Sequence, residues 1–241
     1  MKSVHLKEIN STNDYVKKHI SELENLTFVY ADRQTSGRGR LTRKWMDSGE
    51  DNLFLTIVIK PTDDITDINL YPNFTQYLSV VLALVLEENY NLKPQIKWPN
   101  DVLINGKKVA GILAEGTFEG AKFKGMALGI GVNLNTEFEN LSKIDKPATS
   151  IFQETGLIVD KQEFLKQLYT KFCLLYDSFV CDGFKSVKEI YISKANFINR
   201  QLKINVFDNI HEGVAIGLTD DGALRLKEDD EINTYCIGDI L

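Results

Sequence analysis

The sequence is short of the residues from which disulfide frameworks and zinc sites are built. Its three cysteines (Cys173, Cys181 and Cys236) are an odd number, lie far apart and include no CxxC pair. This usage argues against a disulfide scaffold or a structural zinc site, and it predicts a reducing, cytoplasmic setting. The three histidines, His5, His19 and His211, are scattered without ligand spacing. Long apolar runs are also missing. None approaches the ~20 residues that span a bilayer, and Met1 to Glu8 has no apolar signal-peptide core, so no membrane association is expected. Nor is positive charge in excess: at a net charge of −6 the chain lacks the basic face of a general nucleic-acid binder, and no DNA partner is expected. There is no internal repeat, no GxSxG, no P-loop and no dinucleotide fingerprint; Gly129-Ile130-Gly131 lacks a third glycine and opens no helix.

What is present is the composition of a globular protein. With 43% hydrophobic and 26% charged residues, the 241-residue chain has room for one large domain and a small appendage. The pattern predicts a helix over 12–24, capped by Ser11 or Thr12 with Asp14 completing the cap, and a strand over 26–31. A polar loop follows over 34–50, then a buried strand over 53–59 and an apolar helix over 77–88. Asn105-Gly106, flanked by 101–104 and 108–113, predicts a type I′ hairpin. A strand over 125–133 carries its glycines at alternate positions, as where something approaches the backbone. Helices are expected near 161–178 and 184–194. Beyond residue 199 the pattern changes to short strands over 202–206, 213–218, 224–226 and 234–237, with turns at 208–209 and 220–222. These predict a small β-barrel docked on the rest, dividing the chain into domains 1–198 and 199–241.

Several segments carry candidate chemistry, each with a plainer alternative. Ser36-Gly37-Arg38-Gly39-Arg40-Leu41-Thr42-Arg43-Lys44-Trp45 gathers four cations, two glycines and an indole. It reads as an anion grip or as a solvated basic loop. Asn10-Ser11-Thr12-Asn13 offers hydroxyls and amides at a helix start, for a small polar group or only for capping. Gln34 ends a strand beside the basic loop, as a ligand contact or an ordinary surface amide. Lys97-Trp98-Pro99-Asn100-Asp101 combines cation, indole, amide and carboxylate. Asp101 suits Mg²⁺ or an incoming amine, and the alternative is a turn with one packed tryptophan. Lys107 and Lys108 point to opposite faces of their strand, so that one can meet a pocket and polarise an anion; the alternative is a solvated pair at a strand edge.

In this order, the segments resemble the biotin protein ligases. The matching pieces are Ser11-Thr12-Asn13, Gln34 with Gly37-Arg38-Gly39-Arg40 and Trp45, Lys97 to Asp101, Lys108-Val109-Ala110-Gly111-Ile112-Leu113, and Gly129-Ile130-Gly131-Val132-Asn133-Leu134-Asn135. The resemblance covers roughly the first 135 residues, and the β-rich tail is similar to the family's SH3-like C-terminal domain. It implies an α+β fold, a mixed or largely antiparallel sheet with helices on one side, plus that small barrel. It also implies a two-step, ATP- and Mg²⁺-dependent reaction. Biotin and ATP give biotinyl-5′-AMP, and a lysine of a biotin carrier domain, such as that of acetyl-CoA carboxylase, then takes the biotinyl group. By the same resemblance, Ser11, Thr12, Asn13, Gln34, Gly37, Arg38, Gly39, Arg40, Lys108, Gly111, Gly129 and Gly131 contact biotin. Arg38, Arg40, Trp45, Lys97, Asn100, Lys108 and Asn133 contact the nucleotide. Lys108, Arg38 and Asp101 are the catalytic candidates, with Asp101 also the candidate Mg²⁺ ligand. After Trp45 the chain departs from the family pattern, running Met46-Asp47-Ser48-Gly49-Glu50-Asp51 where a Ser-Pro and a glycine pair are usual. The start at Ser-Thr-Asn leaves no room for the helix-turn-helix of the bifunctional ligase/repressors, so a ligase without repressor function is expected. Family analogy also allows a homodimer. The rival readings are a lipoate ligase or octanoyltransferase of the same superfold, and a non-catalytic module binding anions or nucleic acid through its basic loop.

Overall fold

The structure, a computed structural model, describes residues 1–40, 43–45, 52–63, 65, 67–144 and 146–241. Leu41, Thr42 and the divergent Met46 to Asp51 stretch therefore lie outside the described residues. Seven strands make one sheet: β1 (Ser3–Ile9), β2 (Phe28–Gln34), β3 (Asn52–Ile59), β4 (Pro94–Lys97), β5 (Asp101–Ile104), β6 (Lys107–Glu119) and β7 (Lys122–Asn133). Their order is β1-β2-β3-β7-β6-β5-β4, and only β1 and β2 run parallel, so the sheet is mixed. The helices are α1 (Thr12–Lys18), α2 (Phe74–Tyr90), α3 (Phe138–Leu141), α4 (Ile151–Thr155), α5 (Lys161–Asp182) and α6 (Lys188–Lys194).

The two-residue period of the strands sorts the sheet into two unlike faces. Leu53, Leu55, Ile57 and Ile59 of β3, with Met126, Leu128, Ile130 and Val132 of β7, enter the main core. There α2 lies against β4, β5, β6 and α5, which is why its sequence is apolar nearly all round. The intervening residues face the other way. Val29, Val58 and Ala127 meet Val16 and Ile20 from α1 and the turn after it. The long helices thus share one face, and the short α1 rests on the other, where β7 presents Gly129 and Gly131 instead of large side chains.

Several expectations change in extent. The first helix stops at Lys18 rather than 24, because the chain must turn at His19 to rejoin the sheet. The amides of Glu22 and Leu23 close on the His19 carbonyl, and the Leu26 amide, at φ 58°, bonds Val58. Strands β1 and β4 were not anticipated, since β1 is a half-exposed edge with no clean alternation and β4 has only four residues. The hairpin turn is as expected: Asn105 and Gly106 take φ 51° and 74°, both positive as a type I′ turn requires.

A second, wholly antiparallel sheet follows, from β8 (Gln201–Val206), β9 (Asn209–Leu218), β10 (Leu224–Glu228), β11 (Glu231–Tyr235) and β12 (Asp239–Ile240), in the order β11-β10-β9-β8-β12. Its 220–222 turn plugs into the first domain. Trp98 Nε1 and Gln76 Nε2 donate to the Gly222 carbonyl at 3.2 and 2.8 Å, and Asn73 Nδ2 donates to Asp221 O at 2.8 Å. Gly222 has φ 79° and faces the Gln76 amide closely, so a side chain there is excluded twice over.

Candidate functional site

Ser11 caps α1, accepting from the Asp14 amide at 3.4 Å, and the cap aims Thr12 and Asn13 inward. Gln34, at the end of β2, accepts from the Thr12 amide at 2.7 Å and from Thr12 Oγ1 at 3.0 Å, leaving its own amide nitrogen to the cavity beside it. Asn13 Nδ2 donates to Leu113 O at 3.1 Å and Glu115 Oε2 at 2.8 Å, while Thr56 Oγ1 meets Asn13 Oδ1 at 2.6 Å. The capping and ligand readings of this segment are therefore compatible, because the cap is what orients the polar wall. Thr56 was not picked out in sequence. Its only signal is a lone hydroxyl in an otherwise apolar run of β3.

The floor beneath this wall is backbone. Gly111 and Gly131 are register partners across β6 and β7, and Gly129 pairs with Leu113. The Trp45 indole lies on the first two: a Cβ on Gly131 would stand 2.5 Å from its Cε2, and one on Gly111 2.9 Å from its Cζ3. Gly129 faces the Asn13 amide as closely. The Trp45 Nε1–H is buried and has no acceptor among the described residues. The result is a narrow cavity of about 30 Å³ lined by Ser11, Thr12, Asn13, Gln34, Trp45 and the three glycines, with Arg38 at its mouth.

It opens toward a cleft of about 430 Å³ whose lining includes Arg38, Arg40, Arg43, Lys44, Lys108 and Lys146. Lys108 owes its place there to a β-bulge. Val102 pairs with Ala110 but Leu103 pairs with Lys108, leaving Val109 as the extra residue. Strict alternation back from Gly111 would send Lys107 to the pocket face. The bulge sends Lys108 there and leaves Lys107 in solvent. Lys108 Nζ stands 2.6 Å from Asp101 Oδ1 and 5.5 Å from the Trp45 ring centre. Asn100 hooks onto β6, donating to Ile112 O at 2.9 Å and accepting from the Ile112 amide through its carbonyl. Asn133 donates to Thr149 O at 2.9 Å and lines the cleft.

The basic loop is pinned at both ends. Trp45 N bonds Gly37 O and Gly39 N bonds Arg43 O, so 43–45 run back along 37–39. Arg40 reaches the second domain, at 2.8 Å from Asp239 Oδ1 and 2.9 Å from Gly238 O, and Arg43 approaches Asp239 Oδ2 at 3.1 Å.

Several expectations fit the structure poorly. Gly39, Arg40 and Lys108, expected at biotin, line the cleft but not the small cavity, and Gly37 lines neither. Lys97 also lines neither cavity. It is half-buried behind the cleft, with its ammonium pKa lowered by burial first and by Lys146 and Lys108 next. Asp101 is paired with Lys108, and among the described residues no group of three or more His, Cys, Asp or Glu could hold a metal. Among the described residues there is no cage for Mg²⁺, and no step is derived from a metal held by Asp101. Lys143 and Lys146, which line the cleft from the loop after α3, were missed because isolated lysines in a polar loop carry no sequence signal.

A small cavity walled by neutral amides and hydroxyls, joined to a cationic cleft, defines a domain that encloses a polar molecule beside an anionic one. The comparisons narrow that class. Residues 6–133 match the biotin/lipoate A/B protein ligase family, and residues 197–241 match the biotin protein ligase C-terminal domain; the chain belongs to this family. It is 33% identical to the biotin–[acetyl-CoA-carboxylase] ligase of Paracoccus denitrificans, over 92% of each chain. It is 31% identical to the bifunctional ligase/repressor BirA of Bacillus subtilis, covering 89% of this chain but 65% of that one. Among solved structures, the Aquifex aeolicus biotin protein ligase in complex with biotin and ATP superimposes with a TM-score of 0.85 at 27% identity, covering 100% of this chain and 97% of that one. Among the described residues no helix is long and apolar enough to cross a membrane.

Proposed function

We propose that this chain activates biotin with MgATP and transfers it to a lysine of a biotin carrier domain in a biotin-dependent carboxylase, such as acetyl-CoA carboxylase, in the cytoplasm. The observation that carries the reading is the junction of the two cavities. The polar wall of Thr12, Asn13 and Gln34 is neutral, as suits a ureido group, and the adjoining cleft is cationic, as suits phosphates. In the first step a biotin carboxylate oxygen attacks the α-phosphorus of ATP and pyrophosphate leaves, giving the mixed anhydride biotinyl-5′-AMP. In the second the carrier lysine's neutral ε-amine attacks the acyl carbon, AMP leaves, and the amine proton passes to solvent or to a base.

Both reactants of the first step are anions, so cations at the junction offset their repulsion and the charge building at phosphorus. Arg38 lines both cavities and Lys108 lines the cleft beside Trp45, and the two are assigned this role; Asp101 holds Lys108 in place and can receive the incoming amine. Mg²⁺ enters with the phosphates of the nucleotide. Trp45, Arg40, Asn100 and Asn133 line the nucleotide side, while Lys97 acts at most through its neighbours. We set the division between the two domains at 198/199, which the start of the second sheet at Gln201 supports. The test is incubation with labelled biotin or lipoate, MgATP and apo carrier domain. Biotin-dependent labelling supports the reading; lipoate labelling redirects it to the family's other branch; nucleic-acid binding without adenylate formation removes the enzyme reading.

A further inference from the structure

Glu115 stands on the pocket face of β6, two residues beyond Leu113 and four beyond Gly111, and is paired in register with Ala127. A carboxylate facing a small-residue floor needs partners, and this one has three. Asn13 Nδ2 donates to Oε2 at 2.8 Å, Arg38 Nη2 to the same oxygen at 3.0 Å, and Lys17 Nζ to Oε1 at 2.8 Å. Asp14 closes the group, 3.1 Å from Lys17 and hydrogen-bonded to Arg38. The four charges alternate in sign and cancel, joining α1, β6 and the basic loop at one end of the cavity.

We infer that Glu115 is a positioning residue for the pocket: it fixes the direction of the Asn13 amide and holds Arg38 at the cavity mouth. Asn13 has two N–H protons, and Leu113 O and Glu115 take both. Its Oδ1 is thereby committed to the other side, over Gly129 and toward Thr56. A ligand then meets an amide with one fixed orientation instead of two. The same carboxylate and Asp14 hold the Arg38 guanidinium where both cavities can reach it. Arg38 moves onto a phosphate by exchanging one anionic partner for another, which costs less than stripping it of water.

The inference rests on the biotin reading of the small cavity, and its test separates the two. Biotin Kd and the KM for biotin and for ATP are measured for the wild-type chain, Glu115→Gln and Asp14→Asn. Glu115→Gln should weaken biotin about tenfold, the factor one charge-assisted hydrogen bond is worth, with ATP KM within about twofold because Asp14 still holds Arg38. Asp14→Asn, which touches Arg38 but not Asn13, should leave biotin affinity within about twofold. A purely structural role would move both ligands alike and lower Tm in step. If the wild type binds biotin and Glu115→Gln binds it equally well, the inference is overturned alone. If the wild type binds no biotin, the reading beneath it falls as well. Should Glu115→Gln fail to fold, Lys17→Met removes one of the three donors from outside the cavity; it should raise biotin Kd about threefold, and no change would overturn the inference.

Discussion

Single residues decide what this pocket admits, and the glycines decide most. Gly131 is needed because the Trp45 ring lies on it, not because of a special backbone angle. Gly131→Ala puts a methyl group 2.5 Å from Cε2 of a rigid indole that cannot yield by rotating a flexible tip. The indole must leave the floor, at an overpacking cost of about 1–3 kcal/mol. Biotin KM should rise about tenfold, in line with the loss of a well-packed contact. The chain has only two tryptophans, and Trp98 is buried at the domain junction, so ligand-induced fluorescence change should report Trp45 and weaken in this variant. An unchanged titration would show that the indole does not need the glycine floor. The alternating glycines were legible in sequence as a place of close approach. The partner that approaches was not, because Trp45 comes from a loop some eighty residues away.

At the scale of elements, the bulge in β6 is the feature that periodicity alone does not give. The adjacent lysines were readable as facing opposite ways, but which one meets the cleft depends on Val109 being the extra residue. Lys108→Ala should slow adenylate formation by about 10²–10³, the range for removing one charge-stabilising group, with little loss of stability because a part-exposed ion pair contributes little. Lys107→Ala should leave the rate within about twofold. Pyrophosphate release in single turnovers measures both, and reversed effects would mean that the strand lacks the bulge. Glu115 and Thr56 were illegible for a related reason. An acid or hydroxyl inside a strand carries no motif, and its meaning comes from the helix packed against it.

The whole molecule joins its two domains at the basic loop. Arg40 and Arg43 both reach Asp239, a largely buried carboxylate on the last strand, while Trp98 and Gln76 grip the 220–222 turn. Sequence reading located the small β domain and foresaw that it docks, but residues 198 positions apart meet only once the chain is folded. Asp239→Asn leaves one guanidinium facing an amide donor and should release the loop from the second domain. Labelled adenylate should then leave the enzyme about tenfold faster, as expected for loss of one charge-assisted contact, while the folded core is kept. An unchanged release rate would detach the C-terminal domain from this role.

The central claim is that the neutral cavity and the cationic cleft together form and use biotinyl-5′-AMP. The most direct test is a time course with the purified chain, labelled biotin, MgATP and an apo carrier domain, followed by mapping of the labelled carrier residue. The account predicts label on one carrier lysine, dependent on both biotin and ATP, with one AMP released per biotin transferred. No transfer, or transfer that proceeds without ATP, would contradict it.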